Sequence, residues 1–368
     1  MIYLNQGALS SLYLRPESDT KVCRVQRLLV RTASGPHEVW LYPTVGSELA
    51  NWNGGELVFG GRGVLYTNNT STSIDQNFIV PAHVGRLHMV AIGAGGSGSA
   101  SAYGGTGGGG GALATLLNLP VTPGDVVNLT IGAGGTGGLK YGSSGSGQAG
   151  GNTVISGFLT AGGGQGGASV GSNTPNVFGG AGGIPVINDL GARSTYTISY
   201  TGIGGKGGDY HDSDPNGSGS SNSCGGGGAG GYGVGSDGSG AVGGAGGGVN
   251  TGSISGSGTN GAGGGGGSCG GNSDVTHGGR GGIGGGTGPF GKGTEGAGVL
   301  AIEEPATDSN AFQIGNEGLS GSENSTYTDR VYGGGSGGMD TDTASPAEQT
   351  EPGQGGAILI CWGPPVSV

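Results

Sequence analysis

The stretch 107–135 reads GGGGGALATLLNLPVTPGDVVNLTIGAGG, and its punctuation decides how the rest of the chain is read. Five glycines run into Ala112–Leu119, a proline–glycine turn follows at Pro123–Gly124, and Val126–Ile131 runs back into glycine. The two apolar stretches, rich in leucine, valine and isoleucine, predict strands paired around the turn. The flanking glycines belong to a larger pattern, for 100 of the 368 residues are glycine. Nearly all of these lie between Gly93 and Gly356, in runs such as Gly225–Gly228, Gly243–Gly248, Gly263–Gly267 and Gly333–Gly338. Ordering glycine costs about 0.5–1 kcal/mol per residue more than ordering alanine, so a folded region of this composition needs a compensation that only glycine allows.

Collagen is excluded, because the chain holds 15 prolines and its glycine runs break any Gly-X-Y frame. A flexible linker is the plain alternative, but valine, isoleucine, leucine and phenylalanine interrupt the runs at intervals. The remaining solution is a bundle of polyproline II helices. Without Cβ atoms such helices approach closely and bond to one another through N–H···O=C and Cα–H···O contacts.

Working outward, the fold class expected is all-β, with three regions. Residues 1–70 read as a small β-sandwich, with strand candidates Ile2–Leu4, Leu12–Leu14, Val22–Val30, Val39–Tyr42, Leu57–Phe59 and Val64–Tyr66. Residues 71–162 with 355–368 read as a second sandwich. Leu87–Ile92 enters its first glycine run, and the closing strand lies in GQGGAILICWG. Residues 163–354 read as a glycine-rich polyproline II bundle whose intervening loops protrude. No helical periodicity stands out, and His88, alternating with apolar neighbours, is expected on an outer strand face.

The net charge of −11, with no basic run, disfavours nucleic acid. No apolar segment of 18 residues occurs, and MIYLNQGALSSLYLRP does not read as an export signal. Cys23, Cys224, Cys269 and Cys361 are too scattered for a disulfide scaffold. They are expected as free thiols made in a reducing cytoplasm, with a Cys224–Cys269 pair as the alternative.

Motifs for chemistry are weak. GxGxxG patterns are expected from composition alone, and Gly286–Gly293 lacks the Ser/Thr of a phosphate-binding loop. Asp212, Asp214 and Asn216 match the first half of a calcium loop, but Ser223 stands where a bidentate glutamate belongs. Calcium is therefore the one cofactor considered, against a turn decorated by polar residues. His211, His277, Cys224 and Cys269 match no zinc spacing, and Glu303, Glu304 and Asp308 form no recognisable glycosidase pair. No histidine lies in a catalytic context, so no enzyme is expected.

The order of blocks carries a resemblance. Phe78-x-Val80-Pro81 comes first, then Gly93-Ala94-Gly95-Gly96 and Pro123-Gly124 before Ile131-Gly132-Ala133-Gly134-Gly135. Asn152-Thr153 with Thr160-Ala161-Gly162-Gly163 follows, and Gly355-Gly356-Ala357-Ile358 with Trp362-Gly363 closes the series. Together these resemble the glycine-rich domains of tailed-phage tail-fibre and adhesin proteins over about residues 76–363. Residues 22–45 resemble, more faintly, a small β-sandwich module of phage virion proteins, an N-terminal addition that the tip adhesins lack. The resemblance implies a virion location, assembly in the host cytoplasm, partners among tail or fibre proteins, and a possible homotrimer. It also implies loops that contact a host receptor.

The candidate receptor residues are the loop tyrosines Tyr196, Tyr200, Tyr210, Tyr327 and Tyr332, with Asp209, Asp212, Asp214 and Asn216. Aromatic faces among amide and carboxylate groups suit a surface glycan or an outer-membrane protein. The competing readings are a structural connector without receptor contact, an ice-binding bundle and a depolymerase. The chain lacks the regular threonine array of an ice face and an identifiable carboxylate pair for a depolymerase.

Overall fold

A computed structural model describes residues 13–14, 23–24, 27–32, 35–40, 55–58, 63–82, 84–101, 104–138, 145–171, 176–211, 269–270, 332–340, 350 and 352–362. The described residues are nearly all β, with one short 3₁₀ turn at Gly191–Tyr196. At the N-terminal end, β1 (Tyr13–Leu14) pairs with β2 (Cys23–Arg24), and β3 (Arg27–Thr32) pairs with β4 (Gly35–Trp40) as a hairpin. Then come β5 (Glu56–Val58), β6 (Gly63–Thr67), β7 (Ile74–Ile79), β8 (Arg86–Ile92), β9 (Ala100–Ser101) and β10 (Gly104–Gly105). Next are β11 (Leu113–Pro120), β12 (Val126–Ile131), β13 (Thr153–Ile155), β14 (Leu159–Ala161), β15 (Asn176–Val177) and β16 (Pro185–Ile187). Last are β17 (Ile198–Gly202), β18 (Tyr210–His211), β19 (Cys269–Gly270), β20 (Met339–Asp340) and β21 (Ala357–Cys361).

Two antiparallel sheets form a sandwich. One has the order β17-β11-β8-β21-β6-β5 and the other β16-β14-β13-β12-β7. Between them lies a core that includes Tyr66, Phe78, Leu87, Met89, Leu116, Leu129, Ile155 and Ile360, closed by Trp362, whose ring lies 6.0 Å from that of Phe78. The first sheet is also covered on its other face, where Leu65, Val90, Ile92, Leu113, Leu359 and Tyr332 form a second buried cluster.

This topology corrects several expectations. β5 and β6 were assigned by composition to the N-terminal unit, yet both lie in the six-stranded sheet, where β6 pairs along its length with β21. β11 and β12 do not pair with each other. The turn at Pro123–Gly124 carries the chain from one sheet to the other, and β12 pairs with β7 and β13. His88 is buried, not outward-facing, because its sheet is covered on both sides, and its Nδ1 accepts the N–H of Asn118 at 3.2 Å. Asn118 is the extra residue of a bulge in β11, with φ of 64°, a region that asparagine tolerates better than most residues.

Between the strands run glycine segments: I (93–99), II (106–112), III (132–138), IV (145–152), V (162–169), VI (178–184), VII (203–209), VIII (333–338) and IX (352–356). Their hydrogen bonds recur every third residue. Gly93, Gly96 and Ser99 donate to the carbonyls of Ala112, Gly109 and Thr106 in II at 2.8–3.0 Å. Ala94, Ser97 and Ala100 donate to Gly151, Gln148 and Gly145 in IV. Gly95 donates to Gln354 in IX, and its carbonyl accepts from Gly135 in III. Three residues per turn with all bonds directed sideways is the arrangement expected of polyproline II chains.

Segment I is the axis of this array. It exchanges backbone bonds with II, III, IV, V, VIII and IX, and those neighbours bond to one another around it. The ring runs II–V (Gly109 to Gln165), V–IV (Gly150 to Gly164), IV–III (Gly151 to Ala133), III–IX (Gly353 to Gly135), IX–VIII (Gln354 to Gly334) and VIII–II (Gly108 to Ser336). Segments VI and VII lie outside the ring against II. The glycine array is therefore not confined to 163–354, since its axis is the first run to leave the sandwich. The need for glycine is steric. A Cβ on Gly96 would overlap the carbonyl of Gln165, and one on Gly109 that of Ala181.

Candidate functional site

Each segment leaves or enters a strand, so the register fixes which ends lie together. Residues 93, 112, 132, 151, 162, 184, 203 and 356 adjoin the sandwich. Residues 99, 106, 138, 145, 169, 178 and 209 lie at the opposite end. That far end is tied by short strand pairs: β9 runs parallel to β20, β10 antiparallel to β19, and β15 antiparallel to β18. Ser101 Oγ also donates to the carbonyl of Val170 at 2.5 Å, and Ala100 bridges to Gly145. Connections through 102–103, 139–144, 172–175 and 341–349 therefore all begin and end on one face.

The period of three decides which side chains line the outside. In VI the exposed residues are Phe178, Ala181 and Ile184, in VII Ile203 and Lys206, and in IV Ser146, Ala149 and Asn152 together with Gln148, which falls outside the period. The residues between them face other backbones and are mostly glycine. Near the far end this places an aromatic, a cation and a carboxylate together. Lys206 Nζ sits 4.9 Å from the centre of the Phe178 ring and forms an ion pair with Asp209. Asp209 Oδ1 accepts the N–H of Gly179 at 2.8 Å, holding VI and VII in register. Phe178 remains 64% exposed. A flat apolar face flanked by a cation and a carboxylate can stack on a sugar ring while hydrogen-bonding its hydroxyls. Of this group the sequence singles out Asp209 alone, although Phe178-Gly-Gly-Ala181-Gly-Gly-Ile184 and Ile203-Gly-Gly-Lys206-Gly-Gly-Asp209 carry the signal for Phe178 and Lys206.

The expected tyrosines separate. Tyr210 lies in β18 at the far end. Tyr196 and Tyr200 lie at the sandwich end, on and beside the 3₁₀ turn, with Tyr200 opposite Thr115 in β11. Tyr196 is exposed, its carbonyl accepts from Asn118 Nδ2 at 3.0 Å, and Arg86 lies 5.4 Å from its ring centre. Tyr332 is buried at 7% exposure, under the outer face of the six-stranded sheet, so it offers no surface for a receptor. Its position just before segment VIII made it look like a loop residue, but there it roofs Leu65 and Ile92. Asp212, Asp214, Asn216 and Tyr327 lie outside the described residues, as do Cys224 and Gly286–Gly293. Among the described residues no group of three or more metal-ligating side chains converges, and Cys361 is buried.

No protein-family model matches the chain, and no curated protein shows a match to it.

Proposed function

We propose that this chain is a non-enzymatic component of a tailed-phage tail fibre or fibre tip that binds a host-surface glycan or outer-membrane protein. The observation that carries the reading is the convergence of the connections between outgoing and returning glycine segments on one face. Inside the array the buried side chains of segments I, II and VIII are no larger than threonine, so larger side chains vary freely only at its ends and on its outer residues. That arrangement suits a receptor-binding tip, where loops must change while their mounting stays fixed. The order of glycine-flanked strand motifs, which resembles phage adhesins, supports a virion location. The acidic balance and the few lysines and arginines favour a neutral or weakly charged receptor. Calcium at Asp212, Asp214 and Asn216, and assembly as a homotrimer, belong to the same proposal.

The test is competition. Purified protein should coat susceptible cells and lower phage adsorption in a dose-dependent way. Exchanging 172–175 and 341–349 for the corresponding segments of a relative with another host should transfer that effect to the new host. Exchanging the sandwich-end segment 188–197 should leave it unchanged. Competition that survives both far-end exchanges would remove the tip from the mechanism, and absence of binding to any host surface would favour a structural connector.

A further inference from the structure

β16 and β17 are end strands of the two sheets and lie side by side, and segments VI and VII continue them into the array. Among the described residues eight large apolar side chains stand more than half exposed, and five of them gather along this side near the sandwich: Ile184, Val186, Tyr196, Ile198 and Ile203. An open strand edge is a template for pairing with another chain, and proteins usually guard it with charge. β17, Ile198-Ser-Tyr-Thr-Gly202, carries none, and β16 follows its Pro185 with Val186 and Ile187. Covering the five side chains removes on the order of 400 Å² of apolar surface from water. A standard interface buries about 800 Å² a side, a little over half of it apolar, so the patch has the size of one such side.

Charge says what fits against it. Arg86 and Arg193 belong to this side, 5.4 Å and 5.5 Å from the ring centres of Tyr196 and Phe158, with Asp189 as the neighbouring carboxylate. The opposite side of the sandwich ends in β5 and β7 and carries Glu56, Asp75 and Asp125, with no lysine or arginine among the described residues of the sandwich. There too lie the exposed Ile79 and Val126, which face each other across β7 and β12. The levels also match. Arg86 opens β8, Val126 opens β12 and Tyr196 precedes β17, and all three strands run from there toward the glycine array. Both groups therefore sit at the end of the sandwich away from the array.

We propose that a second copy of this chain docks on the β16–β17 side through its own β7 side, with the two glycine arrays parallel. Arg86 and Arg193 of one copy then meet the acidic side of the next, and Ile79 and Val126 cover part of the apolar patch. Each copy has one side of each kind, and contacts at equal height leave no axial step, so the series closes into a ring. Phe178 and Lys206 lie toward the far end and stay outside the contact. The inference supplies contact surfaces for the homotrimer of the functional reading and takes nothing from the receptor part of it.

The experiment measures the mass of the full chain in solution by light scattering and sedimentation, without host cells, so it can fail while receptor binding stands. The wild-type chain should reach a fixed multiple of its own mass as concentration rises. Ile198→Asp, which spoils one side, and Val126→Asp, which spoils the other, should each be monomeric with an unchanged circular dichroism spectrum. Mixed in equal amounts, the two variants should form dimers and stop there, because each retains the side that the other has lost. Raised salt should weaken the wild-type association. A wild-type chain that stays monomeric at the highest concentration it tolerates overturns the proposal. Either variant associating alone, or a mixture that stays monomeric, overturns it equally.

Discussion

At the residue scale the molecule is governed by where a Cβ can go. Gly96 lies on the axial segment with the carbonyl of Gln165 where its side chain would begin, whereas Ala181 in segment VI faces solvent. Gly96→Val should therefore cost about 3 kcal/mol or abolish folding, as overpacking of a rigid interior does. Ala181→Ser should stay within about 0.5 kcal/mol, with both read from denaturant unfolding. Tyr66 offers a second test. Its hydroxyl is buried with no hydrogen-bond partner among the described residues, and burial pushes its phenol well above the usual tyrosine range. Because the folded state resists ionisation, the tyrosine's contribution is intact below about pH 10, where the unfolded chain begins to ionise. It is lost as the pH rises further. Tyr66→Phe should flatten that alkaline loss and change stability at neutral pH by less than about 1 kcal/mol, measured by thermal unfolding across pH 8–11. The glycine requirement was legible in the sequence as runs against Gly-Gly-X repeats. The burial of His88 and Tyr332 was not, because alternation along a strand says nothing about a sheet covered on both faces.

At the scale of elements, strand stretches were readable from their valine, leucine and isoleucine content, but partners were not. β11 and β12 are close in sequence and joined by a tight turn, yet the turn switches sheets. A sequence pattern marks a strand's faces and leaves its neighbour to be settled by the whole core. The boundary at residue 70 failed for the same reason, since composition changes there while hydrogen bonding does not. Removal of residues 1–54 should leave a folded sandwich with glycine array. Removal of 1–70 takes away Val64, Tyr66 and the partner of β21, and it should leave a chain without a cooperative thermal transition by circular dichroism. A stable, cooperative 71–368 fragment would contradict the placement of β6. The bulge at Asn118 is a smaller device. Asn118→Ala removes the bond to the Tyr196 carbonyl and leaves a β-carbon at positive φ. The expected cost is about 1 kcal/mol, together with faster amide exchange in Gly191–Tyr196.

For the whole molecule, the order of segments around the axis could not be read from the chain. Any glycine backbone can bond to any other, so side chains do not encode which run meets which. The assignment comes from the sandwich, which fixes where each run starts, and the far-end face inherits its layout from that constraint. Contacts are accordingly remote: Gly98 donates to Ser336 Oγ, and its carbonyl accepts from Thr350 Oγ1. Such topology predicts slow folding, on the order of seconds or longer, which stopped-flow refolding would measure. A millisecond single phase would be inconsistent with a ring closed by segments VIII and IX. The position of β21, between β6 and β8, has a further meaning for synthesis. β6 and β8 wait on a piece made about 265 residues after β8, and the axis waits on segments made just before it. A copy halted before residue 350 has no centre in its sheet and a broken ring around its axis. Such a copy can close neither the sheet nor the ring, so the far end is held in place only once the last strand has been made.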